Sequence, residues 1–297
     1  MEALLDRCDF PLPGAAVNVA VSGGADSFAL LALATTAGLN VTAFHVDHGL
    51  REGSDLEAET VAKAAARFEA RFESLAVRLD PGPDLEARAR AARYSVLPPA
   101  VMTGHTMDDQ AETVLLNLLR GAGLDGLAGI KRDPSRPLLG LRRSETEALC
   151  LEEGLAVLKD PTNDDPRFLR NRVRHELIPL LSDIAGRDVV PVLARQADLL
   201  RDEATLLDQL SARLDPTDAR GLREAPLPLV RRALRKWLRD PEQGGDDEAH
   251  PPSSAEVARV IEVVLGAATA CELSGARRVS RSSGRLTVES GSPAKPR

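Results

Sequence analysis

Short β-rich runs and stretches of helical periodicity alternate between residues 17 and 119 of the chain. Apolar runs of strand length occupy residues 17–21, 40–46, 74–77 and 100–103. Segments with helical spacing follow them at 28–33, 55–68, 84–97 and 114–119. Strands that alternate with helices predict a parallel sheet with helices on both faces. The pattern therefore indicates an open α/β fold in this part of the chain.

The remainder of the chain has a different pattern. Amphipathic helical spacing runs over residues 183–214, further helices are predicted at 229–239 and 254–265, and short β-like runs separated by Ser-Gly turns fill 270–289. A length of 297 residues agrees with two domains, because single cores seldom grow beyond about 250 residues. We expect an α/β catalytic domain at 1–185, a helical linker at 186–214, and a small, mostly helical domain with a terminal hairpin at 215–297.

The segment between the first predicted strand and helix has the composition of an anion site. It reads Ser22, Gly23, Gly24, Ala25, Asp26 and Ser27, and is called the phosphate loop below. Glycines let backbone N–H groups converge, and the helix start adds free amides and a positive dipole end. The loop contains neither Gly-Lys-Ser/Thr nor Gly-x-Gly-x-x-Gly. It predicts a nucleotide-phosphate site of a less common kind, and an ordinary capped turn is the alternative.

Polar residues follow two of the predicted strands. Asp47 and His48 come after the second strand, and His105 comes after the fourth. Because ligands collect at the carboxyl ends of parallel strands, we expect these side chains beside the phosphate loop. Asp109 and Glu112 are three residues apart on a predicted helix and share a face, so the pair can bind an ammonium and take its proton. Asp108 is the predicted cap of that helix.

Composition restricts the class of protein without fixing a function. The net charge of −7 disfavours a polyanionic partner, but binding depends on local basic faces. Such faces are predicted on helical segments that contain Arg88, Arg170, Arg174, Arg231 and Arg235, with Arg167 on the same face as Arg170 and Arg174. The basic stretch at 131–143, which ends in Arg143, is predicted to be an edge that contacts phosphate. Ordinary solvated helix faces are the alternative. The three cysteines lack metal-ligand spacing, so we expect no zinc site, cluster or disulfide framework. No long apolar run or signal peptide is present, so we expect a cytoplasmic protein without a membrane span.

Motifs that occur in order across residues 17–181 resemble those of the tRNA(Ile)-lysidine synthetase family, which belongs to the PP-loop ATP pyrophosphatases. They are SGGADS at 22–27, HVDHGLR at 45–51, EARAR at 86–90, GH at 104–105, DDQAET at 108–113, LRGAGLDGL at 119–127, RPLL at 136–139, DPTNDD at 160–165 and RNRVR at 170–174. The resemblance implies an open parallel sheet of the five-stranded PP-loop type. It also implies ATP, Mg²⁺ and L-lysine as cofactor and co-substrates, and tRNA(Ile) with a CAU anticodon as partner.

The family adenylates the C2 oxygen of the wobble cytidine, and the lysine side-chain amine then expels AMP to give lysidine, which changes codon reading from AUG to AUA. By resemblance, Ser22, Gly23, Gly24, Ala25, Asp26 and Ser27 bind ATP together with Asp47 and His48. Asp26 would help to place Mg²⁺, Asp109 and Glu112 would hold the lysine ammonium, and His105 would act at the activated base. The arginines Arg88, Arg170, Arg174, Arg231 and Arg235 would contact phosphate or tRNA.

Two other functions stay open at this point. A tRNA cytidine thiolase shares the loop, but its sulfur chemistry normally needs cysteines or a cluster, whose spacing is not found here. A non-catalytic tRNA-binding module with a vestigial nucleotide pocket is the other. We expect a monomer or a homodimer, and a chain without the additional C-terminal domain of longer relatives.

Overall fold

The computed structural model describes residues 1–47, 54–77, 85–158, 165–240 and 252–290. The chain forms two compact units, residues 1–200 and 201–297. The division falls within the long helix Val190–Ser211, inside the predicted linker.

A parallel sheet organises the first unit. Its strands are β1 (Ala16–Ala20), β2 (Asn40–Asp47) and β3 (Arg71–Ala76), in the order β1-β2-β3. The predicted segment 100–103 lies beside β1, but it makes only one bridge, from Met102 to Val19. Ala100 has a φ of 57°, which an extended strand does not allow, so the pairing is short. The described residues of the first unit thus form three strands and this bridge, and the predicted parallel α/β class is confirmed.

Helices cover both faces of this sheet. The helices of the first unit are α1 (Glu2–Leu5), α2 (Ala25–Thr36), α3 (Ser54–Arg67), α4 (Leu85–Val96), α5 (Met107–Leu119), α6 (Leu124–Leu127), α7 (Arg143–Glu152), α8 (Leu169–Arg172), a π-helical turn (Val173–Leu177) and α9 (Ile178–Ala185). The next helix, α10 (Val190–Ser211), spans the division between the units. Alternation along β2 divides the core, because Ala43 packs with α2 and α7 whereas Phe44 packs with Leu97 and Val101. The strand ends and the phosphate loop therefore meet at one edge between two packed layers.

The second unit packs three helices against an antiparallel sheet. They are α11 (Ala219–Glu224), α12 (Leu227–Arg239) and α13 (Ser254–Leu265), followed by β4 (Ala270–Leu273), β5 (Arg277–Ser282) and β6 (Arg285–Ser290). The predicted terminal hairpin is therefore part of a three-stranded sheet in the order β4-β5-β6. The apolar stripe of α12, with Leu234 and Trp237, is buried against α13 and this sheet, as its spacing predicts.

Candidate functional site

The phosphate loop joins β1 to the buried helix α2. Gly23 has a φ of +90°, a backbone conformation that favours glycine, and a Cβ there would lie 2.4 Å from Leu158 Cδ1, whose side chain would have to move. Gly24 is the N-cap of α2. Ser27 Oγ donates to Gly24 O (2.8 Å) and accepts from Ser22 N (3.2 Å). These bonds hold the loop closed over the first turn of α2, whose N–H groups have no acceptor within the helix.

The loop rests directly on the segment that carries His105. A Cβ at Gly104 would lie 2.5 Å from Asp26 O and 2.7 Å from Asp26 C. Both are backbone atoms, which cannot give way as a flexible side chain would. Glycine at 104 therefore sets the approach of the two segments.

A cavity of about 380 Å³ lies beside the loop, within the usual size of small-molecule sites. Its polar lining includes Ser22, Gly24, Asp26, Ser27, His105, Asp109, Arg143 and Arg174. The apolar wall of the cavity includes Phe44, Val46, Tyr94 and Leu97. The phosphate loop and the predicted amine-binding acid Asp109 thus face the same cavity.

Asp26 is held by two residues of α7. It accepts a hydrogen bond from the Thr146 hydroxyl, and Arg143 Nε lies 3.4 Å from its Oδ2. Burial raises the pKa of Asp26 to about 6, although the Arg143 guanidinium acts in the opposite direction. The carboxylate therefore faces the cavity with a cation already beside it.

Asp109 takes part in the capping box at the start of its helix, in which Thr106 is the N-cap residue. Its Oδ2 accepts from Thr106 N (2.8 Å) and Thr106 Oγ1 (3.0 Å) at the start of α5. The cap is thus Thr106, and the prediction that Asp108 caps this helix is wrong. Asp108 instead accepts hydrogen bonds from the side chain of Arg142 and from Arg143 N. The cap fixes one oxygen of Asp109 and leaves Oδ1 for other partners.

Three arginines surround Asp109 and Glu112. Asp109 Oδ1 lies 3.0 Å from a terminal nitrogen of both Arg143 and Arg170. Glu112 accepts from Arg143 (2.9 Å), from Arg170 Nε (2.8 Å) and from both Arg174 Nε (2.7 Å) and Nη2 (3.1 Å). These five residues are called the carboxylate–guanidinium cluster below.

The two acids of the cluster differ in access. The side chain of Glu112 is 1% exposed and is not part of the cavity lining, whereas Asp109 is. Burial raises the pKa of each acid, but the arginines outweigh it and the net pKa of both lies below the ordinary value. Asp109 is therefore an ionised group at the cavity, and Glu112 is an ionised group behind it that anchors the arginines.

The histidines and Asp47 are placed as follows. His105 lines the cavity, and its Nδ1 lies 2.7 Å from Thr103 Oγ1. His45, which was not proposed as a site residue, also lines it and has Nδ1 at 2.9 Å from Val21 O. Asp47 ends β2 outside the cavity lining. His48 lies outside the described residues.

The arginines predicted to contact phosphate fall into three groups. Arg170 and Arg174 bind the two acids of α5, and only Arg174 of the two reaches the cavity. Arg88 is half-buried on α4 and is not part of the lining, although its neighbours Arg93 and Tyr94 are. On α12, Arg231 is exposed and Arg235 lies near Ser254 Oγ (3.4 Å).

Arg170 and Arg174 are four residues apart, about one helical turn, and both pair with Glu112. The chain passes from α8 into the π-helical turn Val173–Leu177, which changes the spacing of side chains along the helix. Arg167, which was predicted to share their face, precedes α8 and pairs with Asp165 instead. The prediction of a single basic face from 167 to 174 is therefore wrong.

Sequence reasoning did not single out Arg143, Thr146 or Thr106. Arg143 was predicted only as one of several cations in the basic stretch 131–143, an edge expected to contact phosphate, and it received no role of its own. Thr106 precedes an acid by three residues, a capping-box spacing that was present in the sequence. Thr146 carried no signal, because only the packing of α7 on α2 brings it to Asp26.

Within the described ranges, no group of three or more His, Cys, Asp or Glu side chains is arranged to hold a metal ion. The same residues contain no helix with the length and apolar character needed to cross a membrane.

Comparisons with known proteins agree on one family. A PP-loop domain model matches residues 3–181. A tRNA(Ile)-lysidine synthase of Nocardia farcinica is 42% identical and is aligned over 96% of both chains. Another from Rhodococcus erythropolis is 45% identical over 76% of this chain and 74% of its own. A U34-tRNA thiolase, NcsA from Methanococcus maripaludis, has a TM-score of 0.52 at 17% identity over 67% of this chain and 78% of its own, which shows a shared fold.

Proposed function

Because the chain belongs to the tRNA(Ile)-lysidine synthase family of ATP-using PP-loop proteins, we propose that it makes lysidine at the wobble cytidine of tRNA(Ile) with a CAU anticodon. The observation that carries the proposal is the shared cavity, which is lined both by the phosphate loop and by the ionised Asp109. An activated base on the loop side can there meet an amine on the acid side.

ATP binds with its phosphates on the phosphate loop. The N–H groups at the start of α2 and the hydroxyls of Ser22 and Ser27 are suited to phosphate oxygens. The apolar wall with Phe44 and Leu97 offers a surface for a planar base. Asp26 fits Mg²⁺, since this cation needs only one or two carboxylates beside substrate phosphates. When bound, Mg²⁺ would neutralise charge on those phosphates.

Asp109 acts as the counter-ion of the lysine ammonium. Its depressed pKa makes it a good partner for a cation and a weak proton acceptor. Glu112 is a positioning residue, because it holds Arg143, Arg170 and Arg174 from a buried position. The amine has a reference pKa near about 10.4, so it must lose a proton before it attacks C2. His105, on the same cavity wall, is the group we propose to act on protons at the activated base.

The tRNA is bound in part by the second unit. Arg231 and Arg235 on α12 present positive charge opposite its buried face, and such charges give salt-dependent contacts to phosphates. We propose in addition that the catalytic domain ends at residue 185 and that the tRNA-binding domain begins at residue 215. The proposed co-substrate is L-lysine, and the proposed metal ion is Mg²⁺.

The test is a product analysis with labelled lysine, ATP and an unmodified CAU transcript of tRNA(Ile). We expect one labelled lysine per tRNA, located at the wobble position, with one AMP and one pyrophosphate released. The matched control is the same transcript with uridine at the wobble position, which should stay unlabelled. Release of ADP, or sulfur transfer without lysine transfer, would contradict the proposal. A binding module without catalysis would bind the tRNA but release no pyrophosphate.

A further inference from the structure

Arg143 occupies a position that no other cation of the described cluster shares. Its guanidinium lies near Asp26 Oδ2 (3.4 Å) on the phosphate loop side, and near Asp109 Oδ1 (3.0 Å) and Glu112 Oε1 (2.9 Å) on α5. Arg170 and Arg174 contact the acids of α5, and neither has an ion pair with Asp26 among the described residues. One side chain therefore joins the two halves of the cavity.

We propose that Arg143 is a positioning residue that couples binding of ATP to binding of the lysine amine. The inference rests on the proposed function, since it needs both substrates at this cavity. It adds a coupling between the two substrates, in which bound ATP tightens lysine binding and bound lysine tightens ATP binding.

The first step of the argument concerns charge. In the ligand-free site, Asp26, Asp109 and Glu112 face three arginines, so the charges of the six groups balance. An ammonium that approaches Asp109 Oδ1 meets an oxygen already shared by Arg143 and Arg170. Because like charges in a partly buried site repel strongly, lysine should bind weakly to this state.

The second step concerns the polyphosphate. Phosphate oxygens are strong partners for a planar guanidinium, and Arg143 lines the same cavity as Ser22 and Ser27 of the loop. Its bond to Asp26 is the longest of its three carboxylate contacts. A phosphate on the loop can therefore draw Arg143 away from Asp109. Asp109 Oδ1 then keeps Arg170 and gains room for the ammonium, while the phosphate adds negative charge nearby.

The test measures lysine binding by calorimetry with and without α,β-methylene-ATP, in the absence of tRNA. In the wild-type protein, we expect the analogue to tighten lysine binding by about tenfold, within the usual range of coupling between sites. By reciprocity, lysine should tighten analogue binding by the same factor. In Arg143→Ala, both factors should fall to about one.

Two further variants separate coupling from simple damage to the site. Arg170→Ala removes a cation that touches Asp109 and Glu112 but makes no described ion pair with Asp26, so lysine affinity should change while the coupling factor persists. Arg143→Lys keeps the charge and should fold, but it offers one point contact in place of a fork and should lower the factor. If Arg143 had a purely structural role, Arg143→Ala would weaken the binding of both ligands. The ratio of lysine affinities with and without the analogue would then stay at the wild-type value.

The inference is wrong if lysine affinity in the wild type is the same with and without the analogue, or if Arg143→Ala keeps the wild-type factor. The same wild-type preparation is assayed for labelled tRNA. Lysidine formation without coupling rejects the role of Arg143 alone, whereas an absence of labelled tRNA rejects the proposed function.

Discussion

Two helices, one in each unit, begin with the same local structure and use it differently. At α5, Asp109 Oδ2 accepts from the backbone N (2.8 Å) and hydroxyl (3.0 Å) of Thr106. At α13, Glu256 Oε2 accepts from the backbone N and hydroxyl of Ser253, both at 2.8 Å. Each acid is the third residue of its helix and is mostly buried. As caps, the two are equivalent.

They differ in what the second carboxylate oxygen meets. Glu256 Oε1 accepts from Ser274 N (2.7 Å), a backbone group at the turn before β5. Asp109 Oδ1 meets the guanidinium groups of Arg143 and Arg170 at the cavity. The first arrangement fixes a turn and uses all of the acid's capacity for structure. The second pairs a charged oxygen at the cavity with side chains instead of the backbone, so a ligand that competes for those side chains can reach it.

The largest effect is expected for Asp109→Asn. An amide keeps an acceptor for the cap but removes the charge that would hold an ammonium. We expect lysine transfer to fall on the order of 10²-fold or more, with α,β-methylene-ATP affinity changed by less than about threefold. Labelled-lysine transfer and calorimetry measure the two quantities. An equal loss of both would show that Asp109 serves the nucleotide instead.

Glu256→Gln should lower stability without a matching effect on chemistry. It removes the charge from the acceptor of the part-buried hydrogen bond from Ser274 N, so we expect a loss of about 1–3 kcal/mol in the free energy of unfolding of the second unit. Unfolding in urea can be followed by the fluorescence of Trp237, the single tryptophan, which lies in that core. Lysine transfer per folded molecule should stay close to wild type. A loss of transfer as large as in Asp109→Asn would contradict the purely structural role of Glu256.

Acid should remove the difference between wild type and Glu256→Gln. The N–H group of Ser274 and the cap lower the pKa of Glu256 from 4.5 to about 2. A lowered pKa means that the ionised acid stabilises the fold above pH 4.5 and loses this effect as the pH falls towards 2. The two unfolding curves should therefore approach each other over that interval. A gap that stays constant from pH 7 to 3 would assign the effect to packing alone.

The matched cap variants give the smallest effects. Ser253→Ala should cost about 1 kcal/mol of stability and leave lysine transfer unchanged. Thr106→Ala should cost a similar amount of stability but also lower lysine transfer about tenfold, because Asp109 loses part of the hold on its orientation. Unfolding and lysine transfer are measured on both variants. Similar behaviour of the two would mean that Thr106 has no role beyond the helix start.

These acids also show how far the sequence could be read. The alternation of strands and helices predicted the parallel sheet, and the glycines between the first strand and helix predicted the position of the phosphate loop. Both features depend on local residue choice. The spacing of Asp109 and Glu112 placed them on one side of α5, but not their difference in access. The partners of both acids include Arg170 on α8 and Arg174 in the π-helical turn, which are distant from α5 in sequence.

Cations were the hardest groups to assign, because an arginine on a helix looks the same in sequence whether it meets solvent, RNA or a buried acid. Arg170 and Arg174 were predicted to bind phosphate, and their partners in the structure are the carboxylates of α5. Arg143 received no role of its own from sequence, although it joins both sides of the cavity. Such roles come from long-range packing, here of α7 against α2.

The contact between Gly104 and the backbone of Asp26 has a geometric consequence for any nucleotide in this cavity. With no side chain between the two segments, their separation is set by main-chain atoms and cannot be adjusted by a change of rotamer. A ligand that contacts both the phosphate loop and the segment that carries His105 therefore meets a fixed spacing. A methyl group at position 104 would push the two segments apart and change every distance between the phosphate loop and His105.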